Sequence, residues 1–388
     1  CYRAEDPLLG PTGDRGSVVN WSIVHTEWSD GFGGQEHRIL LECGEMIRRG
    51  HRAVVVCRPE AEIRRKAEGA GVPVHPMPIR SSFDPAAVAG MVRLFRREKA
   101  DVVNTHSGID SWAGSIAAKI AGVPLLLRTR HISVPVRRGW YNLIYRWPDG
   151  YVTTGEMIRE HLIDVGIPAD RVVSIPTGVD MDRFSPDVSG DAVRAEFGVG
   201  RGESLVSVIG VLRSWKRHDV FLEAVRRLRA GGGPVRALVV GEGPQRERIA
   251  GGIASMELAG VVRMTGYRMD IPEIVAASDA IVLPSDRFEG VPQVILQSLA
   301  MGRAVVASPI GGIPEVVRHE TTGLLCPAGD PSACADAIAR LLGDPELRKR
   351  LGAAGRELVL SRYSSTAMCE RTVGFYERLG SLKRIRAT

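Results

Sequence analysis

A glutamate and a glycine lie together in the stretch from 279 to 302, DAIVLPSDRFEGVPQVILQSLAMG. An apolar run, 280–283, precedes Glu289 and Gly290, and helical apolar spacing follows them from 292 to 301. This pattern predicts a strand, a loop and a helix, with both residues in the loop. In a parallel α/β sheet, ligands bind at the carboxyl ends of strands, and the amides of a helix start favour phosphate oxygens. This loop is therefore a candidate site for a ligand that carries phosphate. Taken alone, a strand, an acidic loop and a helix occur in any doubly wound protein, so the segment is more often only part of the fold.

Three more polar side chains could belong to the same kind of site. Gln297 follows Glu289 by eight positions, a spacing that can place both side chains on one side of the site. Arg213 and Lys216 lie in a loop between an apolar run, 205–210, and a helical segment. Cations in such a loop can neutralise a leaving diphosphate. From these residues alone, ordinary charge on a helix face is an equally good explanation.

Glycines, an arginine and a histidine mark the ends of other candidate strands. Gly33 and Gly34 precede an amphipathic helix, where glycine lets the backbone approach a phosphate. Gly243 and Arg268 each follow a later candidate strand, and His106 stands at the end of an earlier one. Taken alone, a glycine pair at a helix start is more often only a turn. A histidine at a strand end is more often a loop residue with its hydrogen bonds satisfied.

These segments together resemble family 4 of the retaining glycosyltransferases, which have the two-domain GT-B fold. The family holds its nucleotide sugar with two glutamates, and here Glu289 stands in the first position and Gln297 in the second. The resemblance continues through AVVASPIGGIPEVVRHETTGLLCPAGD and covers nearly everything from Trp21 to about Leu379. Besides Gln297, this sequence departs from the family pattern where Thr177 replaces the usual asparagine.

The resemblance implies an α/β fold of two Rossmann-like, doubly wound domains that face each other across a cleft. It also implies a retaining enzyme of the hexosyltransferase type, which moves a sugar from a nucleotide diphosphate sugar by front-face displacement. The donor is expected to be UDP-linked. The expected acceptor is a glycan or a lipid-linked sugar used in bacterial cell-envelope polysaccharide or glycolipid synthesis. We expect no cofactor and no essential metal.

The resemblance assigns catalytic roles to three residues. His106 would lie beside the transferred sugar, Lys216 would face the leaving diphosphate, and Glu289 would bond sugar hydroxyls or position the diphosphate. Gln297 would bond the ribose hydroxyls. The family arginine falls where this chain has Val211, so Arg213 is a shifted substitute. The full donor-binding set carried over is Gly33, Gly34, Arg213, Lys216, Gly243, Arg268, Glu289, Gly290, Val291, Pro292 and Gln297.

Two other classes of function stay open at this point. A nucleotide-sugar 2-epimerase would use similar donor contacts but would need additional acid and base residues in the first domain. A noncatalytic relative would bind nucleotide sugar without transferring it, and Gln297 is the residue that raises this alternative. A Rossmann oxidoreductase is less favoured, because no GxGxxG follows a strand with an acidic residue about 20 positions later.

The length of 388 residues predicts two domains of similar size. We expect a flexible tail at 1–17, an acceptor-side domain at 18–186, a nucleotide-sugar domain at 187–363, and a last helix at 364–388 that crosses back. Candidate strands of the first domain are 20–25, 52–57, 72–75, 101–105, 124–129 and 150–154. With 44% hydrophobic and 25% charged residues, and with six scattered cysteines predicted to be reduced, we expect a cytoplasmic protein.

One segment lacks acidic residues altogether. From 111 to 148 the sequence has Lys119 and five arginines but no Asp or Glu. Its Trp140, Tyr141 and Trp147 are of the ring types that settle at membrane interfaces. We expect this segment to contact an anionic surface peripherally, at the inner face of the cytoplasmic membrane. The alternative is that its aromatic residues are core and its arginines are solvated. No nucleic-acid-binding module is present, so we expect no nucleic-acid partner.

Overall fold

The computed structural model describes residues 20–131 and 144–383, and the chain divides into two units. The first unit contains the described residues up to Gly178 together with those from Ser365 onward. The second unit is Val179–Ser364. Each unit is built on one parallel sheet whose strands are apolar runs, because helices cover both faces of such a sheet.

The sheet of the first unit has seven parallel strands in the order β3-β2-β1-β4-β5-β6-β7. The strands are β1 (Ser22–Thr26), β2 (Arg52–Cys57), β3 (Val74–Pro76), β4 (Val102–Thr105), β5 (Leu125–Arg130), β6 (Gly150–Thr153) and β7 (Val172–Ser174). The helices between them are α1 (Gly34–Arg48), α2 (Glu62–Gly69), α3 (Pro85–Arg97), α4 (Gly108–Ala121) and α5 (Glu156–Asp164). All six predicted strands of this unit are present, whereas the short strand β7 was not predicted.

The second unit repeats the pattern with six parallel strands in the order β10-β9-β8-β11-β12-β13. They are β8 (Ser204–Ile209), β9 (Val235–Val240), β10 (Val262–Gly266), β11 (Ala280–Leu283), β12 (Val305–Ala307) and β13 (Leu324–Leu325). The helices are α6 (Asp191–Glu196), α7 (His218–Ala230), α8 (Arg246–Ser255), α9 (Ile271–Ala277), α10 (Gln293–Ala300), α11 (Ile313–Val316), α12 (Pro331–Gly343) and α13 (Pro345–Arg362).

Both sheets reverse their strand order beside their first strand, at β1 and β4 in one unit and at β8 and β11 in the other. This order is that of Rossmann-like sheets, in which ligands bind at the carboxyl ends of the strands next to the reversal. The predicted fold class of two Rossmann-like α/β domains is therefore confirmed. In this fold class, ligand sites are expected in the loops after β1, β4, β8 and β11.

The last helix, α14 (Ser365–Leu382), belongs to the first unit. Its Tyr376 ring packs edge-on against Trp21, with the ring centroids 5.9 Å apart. Gly150 makes room for this helix, because a Cβ there would lie 2.4 Å from Leu379 Cδ1. The unit boundary after Gly178 comes earlier in the chain than the predicted boundary at 186. The reason is that Val179, which pairs with Ser364, is buried in the core of the second unit.

No helix among the described residues is long and apolar enough to cross a membrane. Five cysteines of the described chain are buried free thiols: Cys43, Cys57, Cys326, Cys334 and Cys369.

Candidate functional site

Lys216 and Glu289 meet in the second unit. Glu289 lies in the loop after β11, and Lys216 lies in the loop that leads from β8 to α7. Lys216 Nζ is 2.8 Å from Glu289 Oε1, and the two side chains are 14% and 7% exposed. Ser285 Oγ donates to the same carboxylate oxygen at 2.7 Å. The structure thus joins a cation and an anion from the two loops that flank the reversal of strand order.

Two glycines after β12, Gly311 and Gly312, pack against the Glu289 loop. Gly311 has a φ of +59°, and a Cβ there would lie 1.9 Å from the Glu289 carbonyl oxygen. A Cβ on Gly312 would lie 2.8 Å from the Gly290 carbonyl carbon. The backbone of the glycine pair therefore packs directly on the backbone of Glu289 and Gly290, and this contact fixes the position of that segment. Both glycines belong to the SPIGG segment of the sequence.

The loop before Glu289 holds a backbone conformation that is rare for a residue with a side chain. Phe288 has a φ of +58°, which costs a non-glycine residue about 1–2 kcal/mol. Its half-exposed ring lies edge-on to Trp215, with the centroids 5.7 Å apart. The Asp286 amide donates to the Trp215 carbonyl at 2.9 Å. These contacts tie the Lys216 loop to the Glu289 loop, so the two site residues are positioned together.

Glycines also shape the turns after β8 and β9. A Cβ on Gly241, whose φ is +134°, would lie 2.1 Å from the Gly210 carbonyl oxygen. Gly243 has a φ of +157°, and its Cβ would lie 2.7 Å from the Leu212 amide nitrogen. The predicted site residue Gly243 therefore allows the turn after β9 to pack against the loop that carries Lys216.

Other residues of the predicted donor set have different surroundings. Arg213 is exposed, and its guanidinium lies 5.7 Å from the centre of the Trp215 ring. Pro292 is the N-cap residue of α10 and Val291 is buried. Gln297 and Gln293 lie one helical turn apart on α10, and they are the only residues of this helix that are not buried.

Arg268 is held by carboxylates of its own unit. Its guanidinium forms a bidentate pair with Glu196 on α6, at 2.6 and 2.8 Å, and a second pair with Asp270. This arrangement ties the loop after β10 to α6. The side chain therefore has a structural partner that sequence reasoning did not find, because Glu196 is 72 positions away.

In the first unit, Gly33 is the N-cap residue of α1, and Gly34 is its first residue. The Gly33 amide donates to Glu36 Oε2 at 2.7 Å. Gly33 has a φ of −133°, and a Cβ on Gly34 would have no heavy atom of another residue within 4 Å. The protein's own packing therefore requires glycine at neither position.

His106 follows β4 and is buried between two other imidazoles. His106 Nε2 lies 2.9 Å from His25 Nδ1, and His106 Nδ1 lies 2.9 Å from His131 Nε2. Asp110 accepts from the His106 amide at 2.9 Å and from Thr26 Oγ1 at 2.7 Å, which fixes the start of α4. Sequence reasoning predicted His106 but missed its two partners, which end or follow the neighbouring strands of the sheet.

A buried carboxyl group, Glu27, lies directly after β1. It accepts from the backbone amides of Trp28 and Ser29 at 2.8 Å and from the Gln35 side chain. Burial, together with the charge of Asp110, raises the pKa of Glu27 to about 8. Sequence reasoning missed this group, although its place at the end of an apolar strand was a usable signal.

The segment 111–148, which has no Asp or Glu, is only partly a charged surface. Arg128 is buried on β5 and lies over the Tyr145 ring at 4.5 Å, and Arg130 donates to the Tyr145 hydroxyl. Trp147 packs edge-on against Trp112, with the centroids 5.5 Å apart. The expectation that these groups face a membrane is therefore wrong for Arg128, because its side chain is buried on β5. Trp147 is partly buried and packs against the core of the first unit. Arg137, Arg138, Trp140 and Tyr141 lie outside the described residues.

Comparison with known proteins agrees with this division of the chain. The family model described as Glycosyl transferases group 1 matches residues 191–358. The model described as Glycosyltransferase Family 4 matches residues 32–183. The two matches are consecutive, and each lies almost entirely within one of the two units.

Two curated relatives are similar over much of their length. The Escherichia coli UDP-Gal:alpha-D-GlcNAc-diphosphoundecaprenol alpha-1,3-galactosyltransferase is 28% identical over 68% of this chain and 72% of its own. The GDP-mannose-dependent alpha-mannosyltransferase of Mycobacterium tuberculosis is 28% identical over 92% of this chain and 96% of its own.

Solved structures show the same fold. A glycosyltransferase from Rickettsia africae ESF-5 superposes with a TM-score of 0.84 at 20% identity, covering 93% of this chain and 98% of that one. Anabaena Alr3699/HepE in complex with UDP superposes with a TM-score of 0.79 at 21% identity, covering 93% of this chain and 100% of that one. The predicted GT-B fold is confirmed by these likenesses.

Proposed function

Because the chain belongs to glycosyltransferase family 4, we propose that it transfers a hexosyl group from a UDP-sugar, with retention, to a lipid-linked glycan acceptor of the bacterial cell envelope. The observation that carries this proposal is the contact of Lys216 with Glu289 at the carboxyl ends of β8 and β11. A cation held there stabilises the charge that grows on a leaving diphosphate. The Glu289 carboxylate beside it accepts hydrogen bonds from hydroxyl groups of the sugar.

The donor set works as follows in this proposal. Backbone amides at the start of α10 bind diphosphate oxygens, as helix starts do in general. Gln297 bonds the ribose hydroxyls through its amide, which has both donor and acceptor groups. Lys216 exchanges part of its contact with Glu289 for the diphosphate when the donor binds. No side chain in this scheme requires a metal ion, so we propose that transfer is independent of metal.

The relatives divide on the nucleotide, because one is named for UDP-galactose and another for GDP-mannose. We choose UDP because the Anabaena structure, which covers nearly the whole chain, contains it. The acceptor class follows the Escherichia coli relative, which is named for a diphosphoundecaprenol-linked sugar. A 2-epimerase would consume donor without acceptor, and a noncatalytic relative would consume none.

A thermal-shift panel followed by a transfer assay tests this function. UDP should stabilise the protein more than GDP or ADP does. At one hundred times its dissociation constant, UDP should raise the free energy of unfolding by about 2.7 kcal/mol relative to the protein without ligand. With UDP-glucose or UDP-galactose and a diphospholipid-linked N-acetylglucosamine, we expect UDP release coupled to product, unchanged by EDTA. Donor loss without acceptor would support the epimerase instead, and binding without any turnover would support the noncatalytic relative. Stabilisation by GDP alone would contradict the choice of UDP.

We also propose that the acceptor is reached at an anionic membrane through α3 and α4 of the first unit. An apolar groove of about 460 Å³ between these helices includes Phe83 and Ile120, which are 64% and 55% exposed. Arg96, which donates a hydrogen bond to the Ile120 carbonyl, and Lys119, the residue before Ile120, are both exposed. Asp110, the only acidic residue of the two helices, is buried. Apolar side chains rimmed by cations suit an anionic bilayer.

Cosedimentation with vesicles of phosphatidylcholine and phosphatidylglycerol tests the membrane contact. The parent should bind at low salt and dissociate at high salt. A Phe83→Ser, Ile120→Ser double variant should bind at least about tenfold more weakly. Transfer of each apolar side chain from water into the bilayer contributes about 1.5–3 kcal/mol to binding, and the variant loses this contribution. An exposed control pair on the second unit, Tyr267→Ser with Met269→Ser, should bind as the parent does. Equal binding by all three proteins would contradict the proposal.

A further inference from the structure

The second unit has a cavity between the starts of α7 and α8, which we call the α7–α8 cavity. Its volume is about 460 Å³, and it is lined by the loop from β8 to α7, by α7 and α8, and by the loop after β11. Of the described residues, those that line it do not include Lys216, Glu289, Gly290 or Gln297. Helices α7 and α8 pack on one face of the sheet and α10 packs on the other, since their buried residues belong to two separate core clusters. The α7–α8 cavity is therefore distinct from the predicted donor site around the start of α10.

Four arginines line the α7–α8 cavity, against two aspartates. Both aspartates contact the same arginine, Arg217. Asp219 forms a bidentate pair with its guanidinium at 2.9 and 2.8 Å, and Asp286 Oδ2 lies 3.2 Å from its Nη1. Arg287 lies 3.4 Å from the other oxygen of Asp286. The carboxylates of the cavity are therefore taken up by two of its four arginines.

The other two arginines, Arg213 and Arg248, form no ion pair with any described residue. Both side chains are exposed. A guanidinium presents pairs of N–H donors in one plane, which match two oxygens of a phosphate group. The cavity therefore combines a net positive charge with two sets of hydrogen-bond donors that the protein does not use itself.

A buried histidine of the same cavity has a ring nitrogen without a partner. His218, the first residue of α7, lines the cavity and is 4% exposed. Its Nδ1 is buried and forms no hydrogen bond with any described residue. Burial and the charge of Lys216 lower the pKa of His218 to about 4, so the ring is neutral at pH 7. Because buried polar groups nearly always have a partner, this nitrogen fits a ligand that supplies one.

Apolar side chains form another part of the lining. Leu222 of α7 and Ile249 of α8 are buried, and Met256, just after α8, is partly buried. Ligand sites commonly combine such an apolar surface with a few polar groups that fix orientation. The lining therefore suits a ligand that has an anionic group at one end and an apolar group at the other.

We propose that the α7–α8 cavity is a second ligand site, which binds a phosphate group attached to an apolar body and is separate from the site of the nucleotide sugar. Arg213 and Arg248 donate to the phosphate oxygens, and the apolar body packs on Leu222 and Met256. Arg213 is thereby assigned to this second site instead of to the donor site. Two kinds of molecule present this chemistry: a free phosphate ester that acts as an effector, and the diphosphate of a lipid-linked acceptor.

Methyl NMR of protein labelled with ¹³C-methyl methionine tests binding without any activity assay. Met256 lines the cavity, and a Met256→Leu variant identifies its signal. Phenyl phosphate, a phosphate ester with an apolar ring, should shift this signal both without UDP and with UDP at saturation. Inorganic phosphate, which lacks the ring, and phenol, which lacks the charge, should each bind more weakly. An unchanged Met256 signal, a shift that UDP abolishes, or equal binding of phenol would overturn the proposal.

Exposed arginines provide the variants for the same titration. Arg248→Gln should weaken phenyl phosphate binding by about tenfold or more, because a charged donor to the phosphate is lost. Arg248→Lys keeps the charge but loses the paired donors, so its affinity should lie between those of the parent and Arg248→Gln. Arg263→Gln, which changes an exposed arginine of β10 outside the cavity, should bind as the parent does. Parent-like affinity in an Arg213→Gln, Arg248→Gln double variant would overturn the proposal.

Transfer kinetics distinguish the two kinds of ligand. If the cavity binds the diphosphate of the acceptor, phenyl phosphate should compete with the acceptor, and Arg248→Gln should raise the KM for the acceptor. If the ligand is an effector, phenyl phosphate should change kcat or the KM for the donor without such competition. No effect on transfer, at a concentration that saturates the Met256 signal, would contradict both kinds.

The binding measurement separates this proposal from the proposed function. If no sugar transfer is found with any donor, the proposed function fails, but the Met256 signal still decides whether the cavity binds phenyl phosphate. If transfer is found and the Met256 signal does not respond, the second site fails and the function stands.

Discussion

Gly311 lies so close to Glu289 that a single added carbon would overlap the Glu289 carbonyl oxygen. The Cβ of an alanine at 311 would lie 1.9 Å from that oxygen, and the φ of +59° would strain it further. The site glutamate is therefore positioned by a residue that has no side chain. This contact links the segment after β12 to the Glu289 loop after β11.

Gly311→Ala should displace the Glu289 loop and destabilise the second unit by about 1–3 kcal/mol, the usual cost of overpacking. It should also weaken donor binding, because Glu289 and the amides after it would move together. Chemical denaturation and nucleotide titration measure the two effects. Gly251→Ala is the matched control, since its added Cβ in α8 would meet no heavy atom within 4 Å apart from those of its chain neighbours and of the helix backbone. Parent-like donor binding by a folded Gly311→Ala protein would contradict the prediction.

Lys216→Ala should lower turnover by about 10²–10³-fold, the scale lost with one preorganised donor to a developing charge. Glu289→Ala should cost a similar factor. Because the two side chains contact each other at 2.8 Å, the losses should not add in the double variant. Steady-state kinetics with donor and acceptor measure this. Lys383→Ala, which changes an exposed lysine just after α14, serves as the control. Near-normal transfer by both single variants would place the donor site elsewhere.

Gln297→Glu should change nucleotide affinity by less than about tenfold, roughly 1.4 kcal/mol. Gln297 lies half-buried on α10 beside Gln293, and its amide oxygen can accept bonds from ribose hydroxyls as a carboxylate does. Calorimetric titration of UDP into both proteins measures the difference. A gain near a thousandfold, or transfer that occurs only with glutamate at 297, would instead support a noncatalytic parent.

Glu27→Gln should remove a pH dependence of stability. The pKa of Glu27 is raised from 4.5 to about 8 by burial and by Asp110, so the folded protein binds this proton more tightly than the unfolded chain does. The resulting stability is complete below about pH 4.5 and is lost as the pH rises through about 8. Glutamine stays neutral, and the Gln35 amide can turn to present its oxygen to it.

The parent should therefore lose roughly 2–4 kcal/mol more stability than Glu27→Gln between these two pH limits. Urea unfolding at a series of pH values measures the two slopes. The exposed Glu68→Gln change on α2 should follow the parent curve. Parallel curves for parent and Glu27→Gln would show that Glu27 is ionised in the folded protein throughout this range.

The sequence by itself determined the features that rest on local patterns. Strands buried on both faces are continuous apolar runs, so β2 was predicted with its observed ends, and the loop of Glu289 and Gly290 was predicted to follow a strand. Helix α10 was predicted from its apolar spacing. The strand β7 was missed because its three residues are too few to show any period.

Only the tertiary structure decided which distant residues meet. His25 and His131 lie 81 and 25 positions from His106, and they meet it because β1, β4 and β5 are neighbours in the sheet. In the same way, the position of Arg128 on β5 buries it against Tyr145 instead of leaving it on a charged surface. A periodic pattern in the sequence indicates which face of a segment is buried. The residues that this face packs against depend on the order of the strands in the sheet, and no local pattern encodes that order.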